Sequence, residues 1–156
     1  MSGLNGAIFV VGLGAALLAG PCGAQAPTDH VGLFKSTSGD VRVWRAGSPA
    51  TSATPARTGD RILRTDIIRT GPAASAGITF VDGTRLAIDA SSDVEIRRYL
   101  FEPERRQYEF DLHLRQGAAL YTSGKLARLA PDAVKVNTPR ATVGVRGTSF
   151  LISSEE

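Results

Sequence analysis

Apolar and polar residues alternate in short runs along most of this chain. The run Tyr108-Glu109-Phe110-Asp111-Leu112-His113-Leu114-Arg115 alternates without a fault over eight positions. A period of two sets Tyr108, Phe110, Leu112 and Leu114 on one face of a strand and Glu109, Asp111, His113 and Arg115 on the other. Val41-Arg42-Val43-Trp44-Arg45, introduced by Gly39-Asp40, reads the same way, as does the stretch 94–99. Gly59-Asp60 opens the run 61–64, the run 67–70 follows, and Gly71-Pro72 supplies a turn. Residues 46–58 are rich in Ala, Ser, Thr and Pro and predict a loop, and Gln116-Gly117 reads as a turn. Only 123–133 leaves room for a short helical turn, around Lys125-Leu126-Ala127-Arg128-Leu129. The sum is about 9–11 short strands. That predicts an all-β fold, either twisted and solenoid-like or sandwich-like, with the helix of a signal peptide in front of it.

Two stretches carry the strongest local signals. In 78–88, two β-branched runs flank Asp82-Gly83, a preferred type I′ hairpin turn. A strict two-residue loop would set Phe80 across from Arg85 and Ile78 across from Ala87, dividing the apolar side chains between faces. Either both faces are covered, or the link is not a simple hairpin. In 134–150, Val134 and Val136 alternate, Thr138-Pro139 ends a strand, and Val143 and Val145 alternate again before Gly147. Proline lacks the N–H that a ladder needs, so this block reads as strand, corner, short strand, turn and third strand.

The first 26 residues contain no Asp, Glu, Lys or Arg, and residues 7–19 are an unbroken apolar run. That run is shorter than the roughly 20 residues a membrane-spanning helix needs. Gly20-Pro21 breaks it, and Ala24-Gln25-Ala26 offers the small residues that a signal peptidase reads. Residues 1–26 therefore predict a cleaved signal peptide, with cleavage near Ala26 and no stable membrane insertion afterwards. The predicted location is periplasmic or secreted. Leu18-Ala19-Gly20-Pro21-Cys22 resembles a lipobox, but Pro21 stands where a small residue belongs, which argues against lipidation of Cys22. Without 1–26, the chain of 156 residues has no cysteine and no methionine left. Disulfides, thiolate catalysis and Cys-ligated zinc are then excluded.

The net charge is +3, and fifteen of the eighteen basic residues are arginines scattered from Arg42 to Arg146 with acidic residues between them. That dispersion argues against nucleic-acid binding, which wants a concentrated basic stripe, and for a salt-bridged sheet face. His30 and His113 have no metal-ligand spacing, and no nucleophile elbow or phosphate loop is present. Asp60, Asp66, Asp82 and Asp89 sit at turns and strand ends, where Asp serves locally. The residues thus predict no enzyme, no cofactor and no metal. Trp44 between Arg42 and Arg45 is an amphipathic candidate for contact with a glycan or a partner.

Taken in order, several stations resemble the FecR-type domain family. They are residues 39–43, 59–62, 70–71, 76–80 leading into 82–86, 117–121, and 136–139 through 143–150. The resemblance implies an all-β envelope domain over 39–153, after a flexible segment at 27–38 and before a tail at 154–156. It implies protein–protein contact rather than catalysis. The best-known members carry ferric-siderophore signals from an outer-membrane receptor to a cytoplasmic sigma factor. Here no cytoplasmic helical segment and no retained spanning helix are read, so this chain is not expected to relay such a signal alone. The strand near Phe150 and Ile152 is expected to be an open edge that another envelope protein uses as a docking rail. A glycan site at Trp44, Arg42 and Arg45 is the alternative.

Overall fold

In the computed structural model, residues 30–49, 51–145 and 148–155 are described. The signal-peptide helix, the cleavage site and Cys22 lie outside them, as do Arg146 and Gly147. Twelve strands are present among the described residues: β1 His30–Ser38, β2 Val41–Trp44, β3 Thr54–Pro55, β4 Arg61–Leu63, β5 Ile67–Thr70, β6 Ser75–Phe80, β7 Arg85–Ile88, β8 Asp93–Glu102, β9 Gln107–Thr122, β10 Val134–Asn137, β11 Thr142–Gly144 and β12 Ser149–Ser154. One short helix, α1, covers Lys125–Leu129, where the sequence left room for it.

The strands form one curled half-barrel sheet with two wings that share β9. Wing one runs β4-β1-β6-β7-β9-β12, and wing two runs β3-β2-β5-β8-β9-β10-β11. All pairings are antiparallel except that of β10 with β9. Sharing is possible because β9 is sixteen residues long. Its first part pairs with β8 and β10, and its last part with β7 and β12. The turn expected at Gln116-Gly117 is instead a bend within this one strand. Gly117 has φ +90°, and a Cβ there would sit 2.6 Å from the Cα of Ser92, so only glycine fits. Ser92 Oγ accepts from the Ala118 N–H at 3.1 Å and holds the bend.

The inner faces of the wings meet in an aromatic cluster. Phe80 of wing one stacks on Tyr99 of wing two at 5.3 Å and meets Phe110 edge-on at 5.1 Å. Tyr121 continues the cluster to Phe150, at 5.0 Å. Ile62, Ile68, Ile96, Leu112 and Leu114 are fully buried around it. Each such side chain contributes about 1.5–3 kcal/mol by leaving water. The faces expected for 108–115 are observed, with Phe110, Leu112 and Leu114 buried and the polar residues only half covered.

A second sequence expectation is corrected, and the open alternative at the Asp82-Gly83 turn is resolved. The segment 27–38 is not a flexible lead-in over its described part: His30–Ser38 is a strand between β6 and β4, with Val31 and Phe34 in the core. Its apolar residues fill a strand slot, which outweighs the polar tail Ser36-Thr37-Ser38. The Asp82-Gly83 hairpin has a three-residue loop. Ile78 pairs with Leu86 and Thr79 with Arg85, Gly83 N–H donates to Phe80 C=O at 2.9 Å, and Gly83 has φ +86°. This turn with a left-handed third residue brings Ala76, Ile78, Phe80, Leu86 and Ile88 onto one buried face. The division of apolar residues between faces does not arise.

Candidate interaction surface

The two outer faces differ in kind. On wing two, backbone register lines up Trp44, Ile67, Glu95, His113, Asn137 and Thr142 across the sheet. The charges on this face satisfy one another. Arg69 Nε reaches Asp93 at 2.7 Å, Arg115 reaches Glu95 at 2.8 Å, and Arg98 reaches Glu109 at 2.9 Å. Asn137 Nδ2 donates to Asp111 at 2.7 Å. Burial works against ionisation of Glu95, but the Arg115 and Arg97 guanidiniums together outweigh it and hold the carboxyl below its usual range. Burial, then the Arg97 charge, pushes His113 down, so its neutral form is favoured, and its Nδ1 is buried with no hydrogen-bond partner. The salt-bridged sheet face expected from the scattered arginines is here.

Wing one's outer face carries exposed Lys35, Arg61 and Arg85 on its β4–β7 side, and no charge on β12. Gly77, Ala87, Leu120 and Leu151 follow one another in register, beside a parallel row of Thr79, Arg85, Thr122 and Ser149. Leu120 is 44% exposed and Leu151 70%.

β12 is one of the two terminal strands of wing one, β4 being the other. Among the described residues β12 pairs only with β9. The Ser123 N–H donates to the Thr148 C=O at 2.8 Å, and Ser123 and Thr148 share the register of that ladder. In an antiparallel pair such bonded partners recur every second residue. The N–H and C=O of Phe150, Ile152 and Ser154 therefore face β9, and those of Ser149, Leu151 and Ser153 face away from it. β12 contains no charged residue and no proline, and its register runs without a bulge. These are the devices that normally blunt a free edge. Between β12 and β11 lies an open groove of about 540 Å³, lined by Val143, Val145, Phe150 and Ile152 among others. Val143 pairs directly with buried Val136 and is itself 39% exposed, with no described residue covering the groove there.

The residues expected at a contact surface fall in two separate places. Phe150 is half-buried against Tyr121, and Ile152 is in the core, so neither offers its side chain to a partner on the outer face. Leu151 between them is the exposed one. The run Phe150-Leu151-Ile152 is apolar in both phases, so periodicity alone does not tell which phase faces out. Trp44, Arg42 and Arg45 lie at the other end of the curl, on and just after β2. Arg69 sits over the Trp44 ring at 4.6 Å, Arg42 pairs with Asp40 at 3.0 Å, and Arg45 donates to the Arg61 C=O at 3.3 Å. Among the described residues no group of three or more His, Cys, Asp or Glu side chains is placed to hold a metal ion. Among them, too, no helix is long and apolar enough to cross a membrane.

This fold defines the class: an all-β domain with one charge-paired face and, among the described residues, an uncharged, proline-free edge strand in β12. The chain matches the family described as FecR protein over residues 66–156, more than half its length, and it belongs to that family. The expected resemblance is thereby confirmed, and membership points to a signalling-related or envelope-associated module. The match begins at Asp66, but the sheet does not: β1 to β4 lie before it and are built into both wings. No curated protein and no solved structure matches the chain.

Proposed function

We propose that this FecR-family chain is an exported, non-enzymatic binding module of the cell envelope. It takes an extended segment of another envelope protein as an added strand on β12. The observation that carries this reading is the uncharged, proline-free edge of β12, whose Ser149, Leu151 and Ser153 backbone groups face outward. Strand addition draws affinity from main-chain hydrogen bonds and specificity from alternate side chains. The groove beside β12 receives the inward side chains of the incoming strand, and Leu151 flanks its outward ones.

Leu151→Pro is the direct test. The Leu151 N–H faces away from β9, so proline there removes a donor from the free edge and none from the ladder. The expected result is loss of the partner from envelope fractions with the melting temperature little changed. Undiminished capture by Leu151→Pro would overturn the reading. The glycan alternative rests on Trp44, one face of whose ring Arg69 covers. Trp44→Ala separates the two: loss of glycan retention with intact partner capture would favour the glycan.

A further inference from the structure

We infer that, when no partner strand is bound, β12 is closed by β12 of a second copy of this chain across a two-fold axis. The inference rests on the reading that β12 accepts a strand, and it adds what occupies the edge at rest. A two-fold axis perpendicular to the sheet keeps outward residues opposite outward residues. Centred on Leu151, it sets Leu151 against Leu151 of the second copy, Ser149 against Ser153, and Phe150 against Ile152.

Three features favour this occupant. The outward backbone groups belong to Ser149, Leu151 and Ser153, so Leu151 and its copy exchange both hydrogen bonds of a bonded pair at the axis. The exposed Leu120 is in register with Leu151, so the axis joins Leu120, Leu151 and their copies into one apolar stripe. Two chains of net charge +3 repel at a distance, but β12 has no charged side chain, so this register sets no like charges opposite each other. Wing one of each copy then becomes half of a continuous sheet. A partner strand gains access only by displacing the second copy, which makes self-association a brake on binding.

The test is the mass of the exported chain in solution, by light scattering over a concentration series. The expected mass is that of two chains. Leu151→Lys and Leu151→Glu, each alone, set like charges at the axis and are expected to give the mass of one chain. Mixed together, the two variants are expected to recover the doubled mass, which a misfolded variant would not do. A single-chain mass for the unaltered protein at every concentration overturns the inference. So does a doubled mass for Leu151→Lys alone, or a mixture that stays at one chain. A monomer whose Leu151→Pro variant still loses the envelope partner would sink this inference alone. A dimer whose Leu151→Pro variant keeps the partner would sink the proposed function alone.

Discussion

Tyr99 on β8 donates its phenolic hydrogen to Asp82 Oδ1 at 2.8 Å and so ties the β6–β7 turn of wing one to wing two. Asp82 is fully buried and takes three more hydrogen bonds, from Thr84 Oγ1 at 2.6 Å, Thr84 N–H at 3.2 Å and Leu126 N–H at 3.1 Å. Its C=O accepts from the Lys125 N–H at 2.8 Å, so the same residue anchors α1. Burial, and then the Asp82 carboxylate, hold the Tyr99 phenol far above its usual range, so it stays a donor at all ordinary pH. Asp82→Ala strands four donors at once and should cost about 3 kcal/mol or more. Tyr99→Phe should cost less, about 1–2 kcal/mol. Urea unfolding midpoints at neutral pH measure both.

Two glycines with similar backbone angles should respond differently to alanine. Gly83 has φ +86° and open space where a Cβ would go, so Gly83→Ala should lose only the left-handed strain, about 1 kcal/mol. Gly117 has φ +90°, and its Cβ would strike the Ser92 backbone. Gly117→Ala should therefore lose more than twice as much, because β9 would have to straighten or shift. Paired thermal or urea melts check the ratio.

The carboxyl of Glu95 makes stability depend on acid in a definite direction. Its folded pKa is lowered, so its contribution is present above the unfolded value of about 4.3 and is lost as pH falls through the folded one. Glu95→Gln should cost about 0.5–1 kcal/mol at pH 7, as a partly exposed bridge does. The gap between the two proteins should narrow as pH falls below the unfolded value and close once the folded carboxyl is protonated. Denaturation of both across that range checks it.

If residues 1–26 are removed on export, intact-mass measurement of the protein from its own compartment should show a chain beginning at Pro27. A mass that still includes Met1 would contradict the leader reading and remove the argument for an envelope location that comes from the sequence.

The sequence was most legible where one phase of a strand is apolar and the other is not. Residues 108–115 declared their faces because Glu109, Asp111, His113 and Arg115 leave no second choice. Phe150-Leu151-Ile152 did not, because both phases are apolar and the pattern does not single out the exposed residue. β1 was hidden for a related reason: Val31, Leu33 and Phe34 are crowded at one end of the strand and do not alternate along it. The Asp82-Gly83 turn was visible as a turn, but its length is set by which pairing gathers Ile78, Phe80, Leu86 and Ile88 on one side, a tertiary matter. Gly117 read as a terminator because glycine usually ends a strand. Its role in bending one depends on Ser92, twenty-five residues earlier, which no local pattern shows. Asp82 looked like ordinary turn chemistry, and its reach to Tyr99 and Leu126 comes only with the closed sheet.

Because β9 is common to both wings, neither wing owns a complete set of partners without it. Residues 107–122 must find β7 and β8 on the earlier side of the chain and β10 and β12 on the later side. Unzipping one half would tug on the other through the same backbone, so amide exchange in the two wings should slow and quicken together, as one cooperative unit rather than two.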